Sequence, residues 1–151
     1  MIDRRINVRG IVYENGKILA QQLNQPENQN DGEWWCTPGG GLDEKEVLTT
    51  GLEREMLEET GIVAKIGKLL FIQQFIRDDG NEQLEFFFNI DNPTDYHEID
   101  LSKTTHGEQE IKKVAFVDPK TTNVLPGILQ TIDIASYISD NKPVKIFENL
   151  G

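Results

Sequence analysis

The chain has 151 residues, 15 Lys and Arg against 26 Asp and Glu, a formal net charge of −11 at pH 7 and 37% hydrophobic residues. That length suits one domain, 1–151, whose core needs no metal or disulfide as a staple. The acidic balance excludes a broad basic face for gripping a nucleic-acid duplex. A ligand bearing phosphates would therefore need something other than net charge to neutralise it.

Apolar runs such as Ala115–Val117 and Phe86–Phe88 are far too short to cross a bilayer, so no membrane partner is expected. The start, Met1–Asn7, has no apolar stretch of the kind a secretory signal needs. A single cysteine, Cys36, can form no internal disulfide. Together these features favour a reducing cytoplasm.

In chain order, Arg4–Tyr13 reads as a strand, Glu14-Asn15-Gly16 as a hairpin turn and Lys17–Gln22 as the returning strand. A polar loop over 24–33 leads to a short strand, Trp34–Thr37, which stops at Pro38-Gly39-Gly40-Gly41. A helix is expected over Glu44–Thr60, opened by the capping box Asp43-x-x-Glu46 and closed by Gly61. Strands Ile62–Ile76, broken near Gly67, and Gln83–Ile90 flank the turn Asp78-Asp79-Gly80-Asn81. The polar loop Asp91–Gln109, a strand Ile111–Val117, a second helix Pro126–Ser139 and a short strand Val144–Phe147 complete the chain. No repeat or linker divides it, and the order of elements implies an α/β fold, a mixed β-sheet flanked by helices.

The first helix carries charge on its apolar face. With Glu55 at zero and about 100° per residue, Leu48, Gly51 and Leu52 define a core-facing stripe, Glu59 falls within it and Glu58 beside it. Carboxylates are rarely buried unless paired or bound to metal, and these three also crowd the helix end where the macrodipole disfavours negative charge. At i, i+3 and i+4 they can converge on one hard cation that takes oxygen ligands, such as Mg²⁺ or Mn²⁺. The alternative is a solvated acidic helix end with Glu55 paired to Arg54 or a distant Lys.

The run Gly40-x5-Glu46-x7-Arg54-Glu55-Met56-x-Glu58-Glu59-x-Gly61-Ile62 fills every fixed position of a known signature. It resembles that of the Nudix hydrolases, G-x5-E-x7-R-E-U-x-E-E-x-G-U with U a bulky aliphatic, and Met56 is its one loose fit. The resemblance implies an α/β/α sandwich that hydrolyses a nucleoside diphosphate linked to another moiety, using Mg²⁺ or Mn²⁺. It also implies that Glu58 and Glu59 are the principal metal ligands and that Glu55 is a ligand or the base that activates water. Arg54 would orient the catalytic glutamates, and the Gly39 carbonyl would be a backbone ligand. Glu46 is read as serving the capping box alone.

Outside the signature, Arg9 is the candidate to meet a phosphate, with Arg4 and Arg5 behind it; a solvated edge strand explains them equally well. Trp34 and Trp35 point to opposite faces of a regular strand, and Trp35 is assigned to the ligand. Cys36 is read as a small buried residue rather than a nucleophile. Glu108 and Glu110 are candidates for an additional acidic ligand or base, with a solvated loop as the alternative.

The chain lacks the downstream markers of ADP-ribose, dinucleoside-polyphosphate, NADH and coenzyme A hydrolases, which leaves (d)NTPs as the leading substrates. The alternatives are another diphosphate, such as a nucleotide sugar, and a nucleotide-binding sensor without turnover. Homodimers are common in the family, and no segment here decides the assembly.

Overall fold

The computed structural model describes residues 3–23, 34–104 and 111–149. Strand β1 (Arg4–Ile11) runs into β2 (Tyr13–Glu14), which turns back into β3 (Lys17–Leu23). The turn puts Asn15 at φ 52° and Gly16 at φ 80°, the left-handed pair that an Asn-Gly hairpin needs. Two short strands follow, β4 (Trp35–Cys36) and β5 (Gly39–Gly41), then helix α1 (Leu48–Thr60). The long strands β6 (Ile66–Ile76) and β7 (Glu82–Ile90) come next. After them lie β8 (Ile111–Val117), β9 (Val124–Leu125), a short helix α2 (Ile134–Ser139) and β10 (Lys145–Asn149).

The single expected sheet is two. One has strand order β10-β6-β7-β1-β5, mixing parallel and antiparallel pairs; the other runs β2-β3-β4-β9, with β8 also on β3. Side-chain alternation gives each strand two faces, and two cores result. On one face Leu52 and Met56 of α1 pack against Val8, Phe88 and Ile90; on the other Ile134 of α2 and Leu129 join Ile11, Phe71 and Phe87. The α/β class with mixed sheets flanked by helices is therefore as expected.

Among the boundaries that differ from expectation, three have a local cause. Helix α1 starts at Leu48, not Glu44, because Lys45 adopts a left-handed φ of 63° and the Glu46 side chain turns back to accept the Asp43 amide N–H at 2.9 Å. The expected second helix over Pro126–Ser139 is instead a 3-10 turn, Gly127–Gln130, followed by α2. Gly127 and the β-branched pair Thr131-Ile132 are weak helix formers, and Lys120 Nζ draws the Gln130 and Ile132 carbonyls outward at 3.3 and 2.6 Å. Ile62–Val63 lie outside β6, in the connection after the left-handed Gly61 at φ 76°.

Strand register positions the rest. Across β1, β7 and β6, three rungs share the face opposite α1: Arg9–Phe87–Phe71, Asn7–Glu85–Gln73 and Arg5–Gln83–Phe75. The first rung closes the apolar core, with Phe71 and Phe87 stacked at 4.8 Å. The other two are largely polar, and they form one wall of a cavity of about 750 Å³.

Candidate active site

The cavity opens where three glycines of edge strand β5 meet the charged face of α1. Gly39 pairs with Arg9 at φ 134°, and a Cβ there would stand 2.0 Å from the Val8 carbonyl oxygen, so only glycine fits. A Cβ on Gly40 would sit 2.8 Å from the Glu55 carboxylate, and one on Gly41 would sit 2.8 Å from the Arg5 guanidinium. The absence of side chains on β5 thus lets a carboxylate and a guanidinium lie directly against the strand.

Glu59 is only 5% exposed. Its carboxylate accepts from Gln21 Nε2 at 3.1 and 3.3 Å and from the Gly39 amide N–H at 3.2 Å. Burial pushes its pKa up to about 8, with the neighbouring Glu55 adding to the rise and the two donors opposing it. Burial raises the Glu55 carboxyl as well, against the pull of Arg54.

Arg54 organises the remaining carboxylates. Its Nε and Nη2 form a fork onto Glu46 at 2.8 and 2.9 Å, Nη1 reaches Glu55 at 3.1 Å and Glu58 at 3.2 Å, and Nη2 also donates to the Gly41 carbonyl at 3.2 Å. Glu46 therefore does more than the capping turn expected of it: it anchors the guanidinium that spaces Glu55 and Glu58. The Arg54 hydrogen bonds, and then the Asp43 amide, hold its carboxyl down at about 2.

Arg9 lies on the cavity wall, but its donors are engaged. Nε donates to Glu85 at 3.1 Å, and Nη1 donates to the Thr37 and Gly39 carbonyls, each at 3.2 Å. Burial works against its charge and is outweighed by the carboxylates around it, Glu85 foremost. Among the described residues, the guanidinium on this wall with no hydrogen bond or ion pair is Arg5.

The tryptophans do face opposite ways, but the assignment reverses. Trp34 lines the cavity, whereas Trp35, in register with Val124, packs against the α2-side core and a separate shallow groove. Cys36 borders the cavity with its thiol pushed up to about 11 by burial, which keeps it protonated and inert. Glu108 and Glu110 lie outside the described residues.

Among the described residues, no three His, Cys, Asp or Glu side chains stand together as a ready metal cage. Arg54 engages Glu55 and Glu58, while Glu59 faces Gln21 and Gly39. The donor chemistry nonetheless fits a hard divalent cation: carboxylate and carbonyl oxygens, no thiolate or imidazole at the site among the described residues, and a buried carboxylate, Glu59, beside a half-buried one, Glu55.

Sequence reading missed Gln21, Asn7, Gln73, Gln83 and Glu85, all on the cavity. A signal was present, since Arg5, Asn7 and Arg9 alternate with Ile6 and Val8 and so had to share one face.

The NUDIX domain model matches residues 3–132. The chain is 31% identical over 105 residues to the phosphatase NudJ of Escherichia coli, a match covering 67% of this chain and 66% of that protein, slightly less than two thirds of its length. Among solved structures, the fold resembles the ORF135 protein of Escherichia coli, with a TM-score of 0.69, 18% identity and coverage of 94% and 96% of the two chains. It also resembles an ADP-ribose pyrophosphatase of Streptococcus suis, with a TM-score of 0.64, 14% identity and coverage of 94% and 98%.

Proposed function

The chain belongs to the NUDIX domain family, and from that premise we propose that it hydrolyses a phosphoanhydride bond of a nucleoside diphosphate linked to another moiety. The leading substrates are (d)NTPs, and Mg²⁺ or Mn²⁺ is the cofactor. The observation that carries this reading is Glu59, a carboxylate held at 5% exposure on the core-facing stripe of α1 beside a second half-buried carboxylate, Glu55. Folding gains nothing from burying two like charges together, whereas a cation site requires it.

Glu58, Glu59 and the Gly39 carbonyl are the groups that would hold the ion, with Glu55 beside them. When bound, a divalent ion supplies the positive charge that an acidic cavity lacks for binding and polarising a diphosphate. Glu55 acts as the base: Arg54 occupies its Oε1, which leaves Oε2 to take the proton as water attacks phosphorus and the anhydride P–O bond breaks. Burial raises the pKa of Glu55 in the direction a base needs. Arg54, locked by Glu46, keeps Glu55 and Glu58 apart and aimed. Arg5, lying over Gly41 with its donors uncommitted among the described residues, receives a phosphate oxygen, while Arg9 holds the Gly39 carbonyl in place.

No helix among the described residues is long and apolar enough to cross a membrane. The test is a hydrolysis panel of (d)NTPs, oxidised purine triphosphates, ADP-ribose, nucleotide sugars and dinucleoside polyphosphates, with and without Mg²⁺ and with products resolved. Magnesium-dependent release of nucleotide and phosphate products from the triphosphates is expected. No turnover of any member, despite nucleotide binding, would favour a sensor.

A further inference from the structure

We infer that the substrate's head group is an amino-bearing nitrogen heterocycle, read by a row of hydrogen-bond acceptors on the rung Asn7–Glu85–Gln73. This rests on the reading of the cavity as the substrate site. The three residues are in direct register on adjacent strands, β1, β7 and β6, and point to the cavity face. At about 4.8 Å per strand the row is roughly 10 Å long, the scale of a ring with its substituents.

Each member can offer oxygen, and at Asn7 the orientation is fixed. Asn7, 3% exposed, spends its Nδ2 on Gln83 Oε1 at 2.8 Å and Glu85 Oε2 at 3.3 Å. Turning the amide over would set oxygen against two oxygens, so Asn7 Oδ1 is fixed as an acceptor. Among the described residues it has no partner, and neither has the buried Gln73 Oε1. Between them stands the Glu85 carboxylate, an acceptor on both oxygens when ionised and itself held by Arg9 Nε at 3.1 Å.

A buried acceptor without a donor is costly, and a ligand that brings a donor removes the cost. An exocyclic amine does so. A ring carbonyl at the same place opposes oxygen to oxygen.

The rest of the cavity suits this placement. Phe75, on the neighbouring rung, and Trp34 supply aromatic surface for the face of a ring. The row begins at Asn7, which is in register with Gly41 of the glycine strand, so phosphates at β5 and a ring over β7 and β6 are consecutive parts of one ligand.

The inference is tested with two matched pairs, CTP against UTP and ATP against ITP, in which an amino group beside an unprotonated ring nitrogen is replaced by an oxo group beside a ring N–H. Rates are measured with Mg²⁺, and each triphosphate is also titrated calorimetrically for affinity. In both pairs the amino member is expected to lead in kcat/KM by about tenfold or more. Gln73→Leu should bring each ratio to within about threefold, a change that general loss of fold does not produce.

Equal rates and affinities within each pair would overturn the inference and leave the hydrolase reading standing. A retained affinity preference with no turnover would support the acceptor row and overturn the hydrolase reading. No binding of any of the four would overturn the inference.

Discussion

A Glu59→Gln variant is expected to lose about 10³-fold in turnover, the scale of removing one charge-stabilising group, while the metal-free protein unfolds at a higher temperature near pH 8. Both effects follow from one carboxylate buried at the junction of α1 and β5. Its pKa is about 8 in the folded chain, against 4.5 for the ordinary carboxyl. The folded state therefore holds the proton more tightly than the unfolded state. The stability Glu59 contributes is complete below about pH 4.5 and is lost as pH rises toward about 8.

Glutamine keeps the shape without the charge. Its oxygen can accept from the Gly39 amide, and once the Gln21 amide turns over its own amide can donate to Gln21 Oε1, which has no partner among the described residues in the native chain. Thermal unfolding in chelator from about pH 5 to 8 should fall for the native chain and stay flatter for the variant, separated by about 3 °C or more at the upper end. Saturating Mg²⁺ should raise the native midpoint at pH 8 more than that of the variant. Parallel curves for the two proteins would show that Glu59 carries no unusual proton.

Arg54→Lys is expected to lower kcat by about 10²-fold with KM changed by only a few-fold, because a small misplacement of catalytic groups has that scale of cost. The guanidinium meets Glu46 with a two-pronged fork and reaches Glu55, Glu58 and the Gly41 carbonyl with its remaining N–H groups. A lysine ammonium is a single point on a flexible stem and cannot hold Glu46 while separating Glu55 from Glu58. Substrate contacts are untouched, which is why binding should survive. A rise in KM with kcat preserved would place Arg54 on the substrate instead.

The part of the site legible in the sequence was the part written along one helix. Helical spacing put Glu55, Glu58 and Glu59 on or beside the stripe of Leu48, Gly51 and Leu52, and in the structure Glu59 is buried along with Gly51 and Leu52. Gly61 marked the helix end, and its φ of 76° is the left-handed conformation such an end requires.

Glu46 was only half legible. A capping box is a local pattern, whereas its fork onto Arg54 spans eight residues across a turn that Lys45 bends out of the helix. Trp34 and Trp35 show a different limit. Alternation separates them, but which one meets the cavity depends on β4 pairing with β9, nearly ninety residues away. The acceptor row was least accessible, since Asn7 and Glu85 become neighbours only through the parallel pairing of β1 with β7, 78 residues apart.

Turnover of the preferred triphosphate by the native chain and by Glu58→Gln, each at saturating Mg²⁺ and after chelation, tests most directly whether the carboxylates of α1 work through a bound ion. Native turnover that vanishes in chelator, and a variant slower by about 10²-fold or more at every Mg²⁺ concentration, is the expected result. A variant within about threefold of native, or native turnover undiminished by chelation, would contradict it.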